Sequence, residues 1–137
     1  YHMKNDCVAA IADFDKAATY MAKGEIFYER ARCRLDMKQD DAALADIDLA
    51  VKADPAAASY RSARCIMLFN KQDFAGALPD CEKALEAAPN DKTMLLAASQ
   101  SAERTGNKAR AAELYRKLLA VDPGNTTAIE GLKRVGG

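Results

Sequence analysis

The chain has no tryptophan, one histidine, seven glycines and four prolines in 137 residues. The single histidine, His2, stands next to the first residue, which leaves the body of the chain without His-based catalysis or His-ligated metal sites. Charge of one sign is also lacking, since twenty basic residues balance twenty acidic ones. Proteins of nucleic acids or anionic membranes carry a basic excess, so neither is expected as a partner. No apolar run approaches the about 20 residues that a membrane-spanning helix needs. No charged-then-apolar leader with a small-residue cleavage site opens the chain, and no signal peptide is expected. Tyr1-His2-Met3 reads as the end of a cloning tag, with the natural sequence starting near Met3 or Lys4. What the chain has in abundance is alanine, roughly a fifth of all residues, a composition that favours helix over sheet.

The few prolines are regularly placed. Pro55, Pro89 and Pro123 stand 34 residues apart, within Ala53-Asp54-Pro55, Ala87-Ala88-Pro89 and Val121-Asp122-Pro123. Ala43, Ala77 and Ala111 keep the same period, as do Ala50, Ala84 and Leu118, and Ile47, Cys81 and Tyr115. A fixed period of this length with alternating small and large apolar positions predicts stacked helix pairs. First helices are expected at 25–37, 58–70 and 92–104, and second helices at 41–53, 74–87 and 108–120. Asp40, Asp73 and Asn107 are candidate N-caps, and Gly106 suits a left-handed helix terminator. Residues 5–21 read as the second helix of an earlier pair, with Phe14 and Ala17 in the places of Ile47 and Ala50. A cut from a longer protein explains this half-pair better than a cap. Residues 126–134 read as a capping helix.

The pattern resembles the tetratricopeptide repeat (TPR) family. The matching residues are Phe27, Ala31, Ala43, Ile47, Ala50 and Pro55 in repeat one. They are Cys65, Leu68, Ala77, Cys81, Ala84 and Pro89 in repeat two, and Leu95, Ser99, Ala102, Ala111, Tyr115 and Pro123 in repeat three. The expected division is 1–4 tag and tail, 5–23 half-repeat, 24–57, 58–91 and 92–125 full repeats, and 126–137 cap. The resemblance implies an all-α, right-handed superhelical solenoid of about eight helices. It also implies a concave groove lined by first helices: Glu25, Tyr28, Arg32, Leu35 and Asp36, then Ser59, Ser62, Ile66, Phe69 and Asn70, then Thr93, Leu96, Gln100, Glu103 and Arg104. Tyr28, Ile66, Phe69 and Leu96 are large apolar groups at nominally exposed positions, and such groups with polar neighbours mark a partner surface.

Several residues depart from the family pattern. Arg30 with Asp46, and Arg64 with Asp80, occupy two positions that repeat three fills with Ala98 and Leu114. Their joint presence and joint absence predict a salt bridge between the two helices of a pair. Asp13 is an alternative partner for Arg30. Arg34 and Arg61 also replace apolar residues, with no partner evident. Pro79 falls inside a second helix, where it removes one backbone hydrogen bond.

Chemistry is sparse. Cys7, Cys33, Cys65 and Cys81 form no CxxC pair and have no histidine beside them, so no zinc site or other cofactor is expected. Inward positions for Cys33, Cys65 and Cys81 predict free buried thiols and a reducing, cytoplasmic setting, with disulfides only in an exported chain. The acidic pairs Asp13/Asp15 and Asp46/Asp48 do not share a helix face, and Asp40/Asp41 falls at a helix start, where acids are stabilising, so no acid–base catalysis is expected from them. Ser99 and Ser101 have no base nearby, and no phosphate loop or nucleophile elbow is present. Arg30, Arg32 and Arg34 are neutralised by Glu25, Glu29 and Asp36. A non-enzymatic module that binds a segment of another protein is the leading expectation. The alternatives are an assembly module using its open N-terminal edge or convex face, including self-association, and a regulatory fragment of a larger protein. A chaperone C-terminal tail is not expected, because Tyr28, Ala63, Thr93 and Ala97 replace the clamp's polar residues and only Arg32 fits.

Overall fold

A computed structural model describes residues 4–20 and 23–136. The proposed tag remnant, Tyr1-His2-Met3, lies outside the described residues. Eight α-helices follow in order: α1 (Lys4–Tyr20), α2 (Gly24–Asp36), α3 (Asp40–Ala53), α4 (Ala58–Asn70), α5 (Phe74–Ala87), α6 (Lys92–Arg104), α7 (Lys108–Val121) and α8 (Thr126–Val135). No strand occurs among the described residues. The chain is therefore all-α, and it forms two compact units, Tyr1–Tyr60 and Arg61–Gly137.

Short-range chemistry sets the helix ends. Each loop within a pair turns on one left-handed residue, at Lys38 (φ 60), Gln72 (φ 65) and Gly106 (φ 86), again 34 residues apart. At the first, the Lys38 N–H donates to the Leu35 carbonyl (2.9 Å) and the Gln39 N–H to the Arg34 carbonyl (2.7 Å). The same two bonds recur at Gln72 and Asp73, and at Gly106 and Asn107. This double closure ends a helix by satisfying its last carbonyls. Only Gly106 takes the left-handed conformation without a Cβ penalty. Asp73 accepts from the Gly76 N–H (3.0 Å) and Asn107 from the Arg110 N–H (3.3 Å). Asp91 and Asn125 cap α6 and α8 in the same way, at Met94 and Ala128. The N-cap of α3 is Gln39, with no side-chain bond, and Asp40 is the first helical residue. Asp40 therefore acts through its charge at the helix start instead of as a cap. Helix α5 runs unbroken through Pro79, which is exposed.

Small residues at the repeating positions bring the helices together. Unit 1 buries Phe27 and Ala31 of α2 against a buried set of Ala43, Ile47, Ala50 and Val51 on α3. Unit 2 has one core, in which Ala77, Ala84, Ala98, Ala102 and Ala111 sit among Leu95, Leu114, Tyr115 and Leu118. The large Tyr115 is accommodated by Gly131 on α8, where a Cβ would collide with the phenol ring. One repeat earlier the same two positions hold Cys81 and Ala97, both in this core.

The thiol expectation is overturned. Cys7 of α1 is bonded to Cys33 of α2, and Cys65 of α4 to Cys81 of α5, each pair with Cα atoms 5.1 Å apart. All four are fully buried. Sequence spacing hid this because each bridge joins neighbouring helices, 26 and 16 residues apart. Inward positions make two buried thiols neighbours as readily as they isolate them. Alkylation in denaturant without reductant is expected to label no cysteine, and recovery of free thiols there would contradict the pairing. The double variant Cys65→Ala/Cys81→Ala is expected to lose about 3 kcal/mol in urea unfolding.

Candidate partner-binding surface

The first helices place the expected surface residues unit by unit. In unit 1, Glu25, Arg32 and Leu35 of α2 and Ser59 of α4 are exposed, and Tyr28 is half-buried. The Tyr28 ring lies 5.2 Å from that of Tyr60, and the Arg32 guanidinium lies 5.9 Å above it, beside Glu29. Burial, with Glu25 and Asp54 nearby, pushes the Tyr60 phenol above its ordinary range. Close packing of Gly24 leaves Tyr60 in this place, since a Cβ there would stand 2.7 Å from its ring.

In unit 2, Asn70, Thr93 and Arg104 are exposed, while Ser62, Ile66, Phe69, Leu96 and Gln100 are half-buried. Ile66, Phe69 and Leu96 pack their inner sides on the core. Phe69 meets Phe74 edge-on at 5.5 Å, and the Arg104 guanidinium covers Phe74 at 5.3 Å. The apolar members of the expected surface in unit 2 are thus half-sunk, not exposed. Phe74, the first residue of a second helix, joins them although the repeat pattern gives it no such role. The large apolar residues that do stand exposed among the described ones are Val8, Leu35, Leu49 and Ile129.

Glu103 is engaged within unit 2. The Tyr115 hydroxyl donates to it at 2.6 Å, and Arg134 of α8 donates twice, at 2.9 and 3.1 Å. Arg134 and Tyr115 together hold the Glu103 carboxyl below its usual range, against the opposing effect of burial. Burial and Glu103 push Tyr115 up to about 12. The sequence pattern missed this clasp because Arg134 lies in the capping helix, outside the three full repeats.

The charged residues between paired helices form clusters larger than pairs. In unit 1, Arg30 donates to Asp46 (2.7 Å) and also to Asp15 (2.7 Å), while Arg34 donates to the other Asp46 oxygen (2.8 Å). The α1 partner of Arg30 is Asp15, where the slot pattern offered Asp13. In unit 2, Arg64 donates to both Asp80 oxygens (2.6 and 3.0 Å) and Arg61 to one of them (3.1 Å). Asp46 and Asp80 are 1% and 2% exposed. Asp46 holds the Arg30 charge above the usual guanidinium range. Arg34 and Arg61 thereby gain partners that sequence spacing did not reveal. Arg34 lies one turn after Arg30 and Arg61 one turn before Arg64, so the two sit on one helix face but break the 34-residue register.

A depressed Glu103 value stabilises the fold above the unfolded carboxyl's titration, near pH 4.3. That contribution disappears as pH falls through the lower folded value. Glu103→Gln is therefore expected to lose about 1 kcal/mol of stability at pH 7. The gap to the natural chain should close on acidification below about pH 4 in urea unfolding. A gap that persists at low pH would show that Glu103 acts by packing alone.

Residues 68–135 match the tetratricopeptide repeat family model. No curated protein matches the chain. Among solved structures, the Arabidopsis OM64 TPR domain is similar at 26% identity, covering 82% of this chain and 93% of that one, with a TM-score of 0.68. YrrB, described as a TPR protein with an unusual peptide-binding site, matches at 22% identity over 95% of this chain and 68% of its own, TM-score 0.74. The first TPR of Spaghetti (RPAP3), bound to the HSP90 peptide SRMEEVD, matches at 18% identity over 82% of this chain and 90% of its own, TM-score 0.68. With the matched repeats continuous with helix pairs of the same period on their N-terminal side, the chain belongs to the tetratricopeptide repeat family.

Proposed function

We propose that this interaction module binds a segment of a partner protein on its first-helix faces. Each unit offers a face of its own: unit 2 the patch of Ile66, Phe69, Leu96 and Gln100, edged by Asn70 and Arg104, and unit 1 the group of Tyr28, Arg32 and Leu35. The observation that carries the reading is the Phe69–Phe74–Arg104 cluster, aromatic area beside an exposed cation. Half-buried aromatic groups are already ordered, so they add contact area at small entropic cost when a partner covers them. Peptide binding by YrrB and by the RPAP3 domain supports the reading by analogy of fold.

The module acts by binding, without catalysis of its own. The partner is a protein segment and not nucleic acid or membrane. No described helix is long and apolar enough to cross a membrane. The two disulfides favour an oxidising compartment over the cytoplasm that free thiols would have suggested.

Selection of a displayed random-peptide library on the full chain tests the reading. Arg104→Glu is expected to weaken peptides held by unit 2, and Arg32→Glu those held by unit 1, by about tenfold or more, while Lys83→Glu, on the exposed side of α5, leaves binding unchanged. Equal binding by all three variants would place the peptide elsewhere.

A further inference from the structure

The two disulfides are equally buried, but they differ in how much structure must open before a thiol reaches them. Cys65 and Cys81 lie in the unit 2 core with Ala77, Ala84, Leu95 and Ala98. Cys7 has no such surroundings on its own helix. Of the α1 side chains described, Cys7 alone is buried. Ala10, Ile11, Phe14, Ala17 and Ala18 continue its stripe at helical spacing and are only half-buried, and Val8 beside it is 57% exposed. Helix α3 gives the contrast, because Phe14 and Ala17 hold the places of Ile47 and Ala50, which are fully buried. Among the described residues, two bonds join α1 to α2: the Cys7–Cys33 disulfide and the Asp15–Arg30 ion pair. The Asp15 carboxylate is half in water, where an ion pair adds little. Cys33, in contrast, stands on a helix whose Phe27 and Ala31 are buried and whose Arg30 and Arg34 hold Asp46 of α3. Lifting α1 therefore disturbs far less packing than opening the core of unit 2, and stability of this uneven kind permits local opening.

We propose that Cys7–Cys33 is a thiol–disulfide exchange site, reached by a dithiol through local release of α1, and that its state decides whether α1 stays on α2. Cys65–Cys81 is the structural bond of the two. In the exchange, one thiolate of the dithiol attacks the Cys7 sulfur, the bond to Cys33 breaks, and Cys33 leaves as a thiolate. The second thiolate of the dithiol then attacks the mixed disulfide and displaces Cys7. The dithiol is oxidised to its cyclic disulfide, two electrons pass to the protein bond, and its two protons end, through solvent, on Cys7 and Cys33. With the bond open, α1 keeps only the half-buried stripe and Asp15–Arg30, while α2 and α3 keep their common core. None of the residues offered to a partner takes part, so this inference stands or falls separately from peptide binding.

The full chain, folded and without denaturant, is treated with dithiothreitol up to about 10 mM, and the thiols released are alkylated and located by mass spectrometry. Cys7 and Cys33 are expected to be labelled at least about tenfold faster than Cys65 and Cys81. Amide hydrogen exchange then reads the consequence for the fold. After selective reduction the α1 amides should exchange at least about tenfold faster, while those of α3 keep their protection. The double variant Cys7→Ser/Cys33→Ser should show the same exchange pattern without any reductant. Labelling of both pairs together, of Cys65 and Cys81 first, or of no cysteine would overturn the proposal. So would α1 amides that stay protected once the bond is open, or a loss of protection in α1 and α3 alike, which would mean that unit 1 unfolds as a whole.

Discussion

A carboxylate buried between two helices governs the first two full repeats. Asp46 and Asp80 are almost wholly removed from water, which is costly for a charge unless it is paired and hydrogen-bonded. Each is met by two arginines from the facing first helix, and both oxygens of each are taken. Arginine suits the task because its planar fork reaches a carboxylate while its stem packs on apolar neighbours. The rest of each pair is built around these residues. Alanines on the same faces let the helices approach, and a disulfide ties α4 to α5 beside the Asp80 cluster. Repeat three dispenses with the arrangement, since Leu95, Ala98 and Leu114 occupy the places of Arg61, Arg64 and Asp80 and are all buried. Two solutions to one packing problem, ionic and apolar, therefore coexist in a single chain.

The C-terminal end shows a different use of the same elements. Helix α8 is held by Arg134 on Glu103 and by the close approach of Gly131 to Tyr115. Tyr115 fills the position that Cys81 and Ile47 fill in earlier repeats, and its hydroxyl reaches Glu103. A residue that the repeat pattern assigns to a partner surface is thereby spent on internal order. Among the half-buried apolar groups of unit 2 that lie clear of this clasp are Ile66 and Phe69 of α4, Leu96 of α6 and Phe74 of α5.

Much of the architecture was legible in the sequence because it is periodic. The 34-residue spacing of Pro55, Pro89 and Pro123 set the helix pairs, and Asp73 and Asn107 signalled two helix starts from local chemistry alone. What was not legible depends on residues that break the period. Arg34 and Arg61 sit on opposite sides of the repeating arginine, so neither has a counterpart to point to its partner. Cysteines on inward positions read the same whether paired or free. The expected surface residues lie on α2, α4 and α6, but their degree of exposure was not legible, because half-burial of Ile66, Phe69 and Leu96 depends on the particular side chains beneath them.

Urea unfolding of two variants measures directly how far the buried Asp80 depends on its arginines. Asp80→Leu alone leaves two guanidinium groups without their carboxylate and is predicted to lose about 3–5 kcal/mol. The triple variant Arg61→Leu/Arg64→Ala/Asp80→Leu, which copies Leu95, Ala98 and Leu114, is predicted to return to within about 1 kcal/mol of the natural chain or to exceed it. A single Asp80→Leu variant as stable as the natural chain, or a triple variant no better than the single, would contradict the account.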